Sequence, residues 1–167
     1  MNTLSLKSAE RTGEVLRGGA RRTERRYLDL VVDGRPLGPL IRDVQDCISR
    51  LGWGPDAFRR EALAALLLEQ DADFPGGRVA LFVCPECGDL GCGAITAIVE
   101  LDGPTVTWRD FSYETEIDPP LSLEPLQDLG PFRFHWDQYA STLRAAVTNA
   151  PPEASPPMPK WWHRRVL

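Results

Sequence analysis

Over residues 27–32 the chain alternates, with Leu28, Leu30 and Val32 on one side and Tyr27, Asp29 and Val31 on the other, which is the period of a strand. Asp33-Gly34 follows, a dipeptide that accepts the positive φ angles of a tight turn, and Arg35-Pro36-Leu37 is expected to return as a short edge segment. The period then lengthens. Leu40, Ile41, Val44, Cys47, Ile48 and Leu51 recur at helical spacing, opposite Arg42, Asp43, Gln45, Asp46 and Arg50. Pro39 suits the first turn of that helix, and Gly52 suits the residue just past its end. A second helix is expected over residues 57–70, entered by Gly54-Pro55-Asp56 and closed by Pro75-Gly76-Gly77.

Three strands are expected next, at 79–84, 94–101 and 105–113. In the last of them Val106 and Trp108 share one parity, whereas Phe111 and Tyr113 share the other, so a bulge near Arg109-Asp110 is predicted to bring both sets to one face. Residues 114–131, rich in acids and proline, read as loop; Phe132 and Phe134 mark a short strand. Asp137 is placed to cap a final helix that turns Tyr139, Leu143, Ala146 and Val147 inward. The order β-β-α-α-β-β-β-β-α predicts an α+β fold, a mostly antiparallel sheet packed against three helices.

Composition changes this picture in few places. At 167 residues and 43% hydrophobic, the chain is long and apolar enough for one core. No apolar run reaches the roughly 20 residues of a membrane span, and the opening residues lack the apolar stretch of a secretory signal, so a cytoplasmic protein is expected. Charge is uneven. Residues 1–26 hold seven basic and three acidic side chains, 27–150 hold nine and twenty, and 151–167 hold three and one. These counts divide the chain into a basic, flexible leader (1–26), a single acidic α+β domain (27–150) and a Pro-rich tail (151–167) that ends in Trp161-Trp162-His163-Arg164-Arg165. An acidic body repels phosphate, so no nucleic-acid binding by the folded domain is expected; a protein partner would meet the acidic body or the Trp161-Trp162 tail. Asp110, Glu114, Glu116 and Asp118 read as a solvated edge that resists strand pairing.

Chemistry concentrates in Cys84-Pro-Glu-Cys87-Gly-Asp-Leu-Gly-Cys92-Gly. Two cysteines two residues apart aim both sulfurs at one tetrahedral ion, with Gly88 relieving crowding where the chain doubles back and Gly91 allowing a second bend that brings in Cys92. Candidates for a fourth ligand are His135, beside the last helix, then Cys47, His163 and Asp89; an open position is the further alternative. Cys47, on an apolar stripe, also reads as a core thiol. The Cys84/Cys87 spacing equally suits a redox pair, although no helix opens after it and Glu86 and Asp89 oppose a thiolate. No phosphate loop, nucleophile elbow or zinc-protease motif is present, and two histidines leave little material for acid–base chemistry.

The C-x2-C-G-x2-G-C arrangement resembles the first three ligands of a retroviral-type zinc knuckle, with Cys92 in place of the usual His, and its C-P-x-C-G part is similar to the knuckles of rubredoxins and zinc ribbons. Across much of residues 27–147, including Phe132-x-Phe134 and Gln138-Tyr139, the chain also resembles small actinobacterial proteins that share the CPECGDLGCG loop, some of which carry an automatic oxidoreductase label. The expectation is therefore a structural zinc on Cys84, Cys87, Cys92 and His135, in a non-catalytic binding or regulatory protein. The alternatives are a thiol-dependent oxidoreductase using Cys84 and Cys87, and a metal-free acidic inhibitor or immunity-type binder.

Overall fold

The computed structural model describes residues 1–149, with side chains to Ala146. It is an α+β fold, with four α-helices and mostly antiparallel sheets. The first strand, β1 (Leu4–Arg11), lies in the expected leader and pairs along its whole length with β4 (Arg25–Val32), from Leu4 opposite Val32 to Arg11 opposite Arg25. Between them β2 (Glu14–Val15) and β3 (Arg21–Arg22) form a small exposed ribbon. This corrects the reading of residues 1–26 as a flexible leader. Leu4 is buried in the main core, and Arg11 and Arg25 are buried as well. Charge counting misses this because a buried guanidinium depends on partners far away in sequence.

The Asp33-Gly34 turn joins β4 to β5 (Arg35–Pro36), with both turn residues at positive φ as expected. Helix α1 (Gly38–Val44) is shorter than predicted. Gln45 is extended, and β6 (Ile48–Ser49) then pairs with the edge of the large sheet. Cys47, Ile48 and Leu51 fit a helical stripe and a buried extended segment equally well. The sheet edge decides between them, and Arg50, expected on a wet face, is buried against Asp73 at 2.8 Å. Helix α2 (Asp56–Leu66) follows Pro55 and ends earlier than expected.

β7 (Arg78–Val83), β8 (Ala94–Asp102), β9 (Thr105–Glu114) and β10 (Phe132–His135) complete a five-stranded sheet of order β10-β9-β8-β7-β6. The predicted bulge is present. The β8–β9 register slips between Thr96 and Ile98, Asp110 has φ of 54°, and Val106, Trp108 and Phe111 all reach the core. The segment read as loop carries a short helix, α3 (Glu124–Gln127), and a bridge between Tyr113 and Leu121. The three-stranded sheet β1-β4-β5 meets this larger one where Leu28 N–H donates to Leu51 O at 2.9 Å. On the far side Asn2 N–H donates to Arg133 O at 2.6 Å. Helix α4 (Trp136–Asn149) ties β1 down through Gln138, whose Nε2 donates to Leu4 O at 2.6 Å and whose Oε1 accepts from Leu4 N–H. The tail, with Trp161, Trp162 and His163, lies outside the described residues.

The main core runs from β1 and β4 through the helices to Trp108, Phe134 and Tyr139, where Trp108 Nε1 donates to Tyr139 Oη and Tyr139 Oη donates to Leu66 O. A second, smaller cluster of Tyr27, Ile48, Trp53, Phe58, Phe74, Ala80, Val83 and Ala94 holds Leu90 against it, and so anchors the cysteine loop.

One acid of the expected solvated edge is not solvated. Glu114 is buried and accepts from Arg78 Nε at 3.1 Å, while Arg78 Nη2 donates to Asp110 O at 2.6 Å. Truncating Glu114 leaves the Arg78 cation buried without its counter-charge, so Glu114→Ala is expected to cost about 3–5 kcal/mol in urea unfolding. A cost below about 1 kcal/mol, the range of exposed pairs, would show that Arg78 reaches water.

Candidate metal centre

Cys84 follows the last residue of β7, and Cys92 lies two residues before β8 begins, so the loop joins two paired strands whose ends are fixed by Val83 opposite Ala94. The chain turns back at once, with Gly88 N–H donating to Cys84 O at 2.8 Å. Asp89 then caps a single 3₁₀ turn, Leu90–Cys92, by accepting from Gly91 N–H at 2.9 Å. The left-handed residues are Gly88 and Gly93, whereas the predicted second bend at Gly91 is made by the 3₁₀ turn.

This path brings one sulfur from each of Cys84, Cys87 and Cys92 within 4.8 Å of the other two, with 3.3 Å between Cys87 Sγ and Cys92 Sγ. A tetrahedral ion with metal–sulfur bonds of ~2.3 Å needs S···S edges of about 3.8 Å, so this group of cysteines could hold a metal ion. Cys84 Sγ accepts from the Cys87 thiol and from the Glu86 and Cys87 backbone N–H groups, and Cys87 Sγ accepts from Asp89 N–H at 3.4 Å. The thiol of Cys87 donating to Cys84, helped by the backbone N–H groups, holds Cys84 down to about 6 against the opposing effect of burial. Sharing that proton with Cys84 pushes Cys87 up, and burial adds to the shift. The three sulfurs thus exchange hydrogen bonds where a cation would displace their protons.

The loop is held from outside by the supposed leader. Arg11 Nη1 donates to Glu86 Oε1 at 2.7 Å and Arg11 Nη2 to Asp46 Oδ2 at 2.8 Å. Thr23 donates to Glu86 through both its backbone N–H and its hydroxyl. Arg25 Nε donates to Pro85 O at 2.7 Å, Arg25 Nη2 reaches Glu86 O, and its guanidinium lies 4.8 Å above the Trp53 ring. Glu86 is therefore neutralised locally, and its charge falls on Arg11 rather than on the sulfurs. Sequence reasoning missed Arg11, Thr23 and Arg25, because nothing in their spacing marks them as partners of a loop some sixty residues onward. Tyr113, also missed, donates to Cys92 O at 3.2 Å.

His135 is not part of this group. It pairs with Thr105, next to the β8–β9 turn, while the cysteines sit at the opposite end of β8. The eight residue steps of β8 at ~3.3 Å each put roughly 25 Å between them. Asp89 is engaged with Gly91, and His163 lies outside the described residues. Comparison with known proteins finds no matching family model, no matching curated protein and no matching solved structure. Among the described residues no helix is long and apolar enough to cross a membrane.

Gly93 gives the site a sharp local test. Its φ is 104°, and a methyl group there would overlap the Tyr113 phenol. Gly93→Ala is expected to cost about 1–3 kcal/mol and to weaken metal retention, since Cys92 and the Tyr113 contact move together. Thermal unfolding in parallel with metal content checks both effects.

Proposed function

We propose that the protein is a zinc-stabilised, non-catalytic binding or regulatory module of the cytoplasm, one of the small actinobacterial proteins that share its cysteine loop. The observation that carries this reading is the convergence of the Cys84, Cys87 and Cys92 sulfurs within 4.8 Å. Thiolate donors favour zinc over magnesium or calcium, and the backbone N–H groups aimed at Cys84 and Cys87 stabilise sulfur in its charged form. In this account the ion ties the end of β7 to the start of β8, and through Glu86 and Pro85 it also fixes Arg11 and Arg25 of β1 and β4. The exposed acids beside the loop, Glu116 near Gly91 and Asp118 near Tyr113, suit a basic protein surface.

One observation favours a second reading, a thiol-dependent oxidoreductase. Cys84 held down to about 6, hydrogen-bonded to a protonated Cys87, is the state of a dithiol ready to react. In that chemistry the Cys84 thiolate attacks a substrate disulfide and Cys87 displaces the mixed disulfide, giving a Cys84–Cys87 disulfide and a reduced substrate in a two-electron exchange. Thiol alkylation of the native protein, with and without chelator, separates the two. The zinc account predicts that Cys84, Cys87 and Cys92 react only after chelation and that the protein has no disulfide-reductase activity. Rapid alkylation of Cys84 without chelator, together with catalytic disulfide reduction, would overturn it.

A further inference from the structure

Three loop sulfurs define one face of a tetrahedron, and a zinc ion seated on that face takes one more donor. That donor comes either from the solvent side, where Cys92 is exposed, or from the core side beneath the loop. On the core side lies Cys47, 2% exposed and packed in the main core.

The sheet register brings Cys47 there. Ile48 pairs with Val83 and Ser49 with Phe82. The same antiparallel register carried one step further sets Cys47 opposite Cys84. Directly opposed residues of an antiparallel pair point to the same face, with Cβ atoms about 4.5–5.5 Å apart. The electrostatics agree with this placement. Burial pushes the Cys47 thiol up to about 12, and the charges of Cys84 and Cys92 add to that push. Tyr113 likewise feels Cys47, Cys92 and Cys84 after its own burial. Of the acids near the loop, Glu86 is engaged by Arg11 and Thr23 and Asp89 by Gly91, while Glu116 is exposed and meets the loop at Gly91. A buried donor group with an open hydrogen-bonding capacity also stands beside the sulfurs: Arg25, 4% exposed, has an Nη1 with no partner among the described residues, and its cation is coupled to the charges of Cys84 and Cys87. A centre of four thiolates and one Zn²⁺ carries two negative charges, and Arg25 supplies a fixed positive charge against them.

We infer that Cys47 is the fourth zinc ligand, so that the ion is bound by four sulfurs and joins the β6 edge of the sheet to the β7–β8 loop. Cys47 Sγ is not one of the three sulfurs within 4.8 Å of one another, so ligation draws it toward them by rotation about its Cα–Cβ bond and a small inward movement of the loop. The metal then fastens the one short edge strand that the chain adds after α1.

This inference rests on the zinc reading proposed above, and the experiment separates the two. Zinc K-edge X-ray absorption on the full chain loaded with one equivalent of zinc is expected to show four sulfur neighbours at ~2.3 Å and no light-atom neighbour. Cys47→Ser is expected to give three sulfurs and one oxygen at a shorter distance, with weaker zinc retention. The wild-type spectrum decides the matter even if that variant folds poorly. Three sulfurs and one oxygen in the wild type would overturn Cys47 as a ligand and leave the three-cysteine site standing. Failure of the chain to retain zinc at all would overturn both.

Discussion

A chain lacking residues 1–12 is expected not to fold cooperatively. The deletion removes all of β1, and with it the whole ladder along β4, the buried Leu4 side chain and the Gln138 contacts that seat α4. It also removes Arg11, and with it the ion pairs of Glu86 and Asp46. Burying one leucine contributes about 1.5–3 kcal/mol. The lost ion pairs add less, about 0–1 kcal/mol each, because the Glu86 and Asp46 side chains left behind are 40% exposed and water reaches them. Against a typical total stability of about 5–15 kcal/mol, these losses take a substantial part of the margin, and the lost ladder along β4, at about 0.5–1.5 kcal/mol per hydrogen bond, removes most of what remains. The expected outcome is loss of the near-ultraviolet signal of buried Trp53 and Trp108 and of any sigmoidal urea transition. A truncated protein that unfolds cooperatively within about 1 kcal/mol of the full chain would mean that β1 is dispensable.

The second large effect concerns the metal. If zinc binds the native centre and not the unfolded chain, zinc at 1,000 times its Kd adds about 4 kcal/mol to stability by mass action. For a chain of 167 residues each kcal/mol shifts the midpoint by roughly 2–4 °C. Chelation is therefore expected to lower Tm by about 8–16 °C. Cys84→Ser should bring the starting Tm down and abolish its dependence on zinc, because that residue carries the backbone hydrogen bonds of the turn and lies at the end of β7. Equal midpoints with zinc and with chelator would show that ligation and folding are uncoupled.

Much of the sheet was legible because its signals are local. The parity change between Trp108 and Phe111 can be satisfied only by an extra residue, and the bulge falls at Asp110 as predicted. Asp33-Gly34 and the cysteine spacing are short-range patterns of the same kind. The errors arise where a pattern has two solutions or where the deciding contact is distant. Cys47, Ile48 and Leu51 satisfy a helix and a buried edge equally, and only the presence of β7 chooses. Arg11 and Arg25 read as solvated cations until Glu86, Asp46 and the Pro85 carbonyl are brought to them. Glu114 read as a wet edge until Arg78 was placed behind it. His135 was adjacent to the last helix in sequence, but antiparallel pairing with Thr105 carries it to the wrong end of the sheet for a ligand. Within the centre itself, the three sulfurs were legible from spacing alone, whereas the arginine clamp that neutralises Glu86 was not.

The most direct measurement is the zinc-to-protein ratio, by elemental mass spectrometry, of full-length chain purified without chelator and dialysed against metal-free buffer. The account predicts about one zinc per chain in the wild type and a ratio near zero in the Cys84→Ser variant. A wild-type chain that is folded, fully reduced and free of zinc would contradict it.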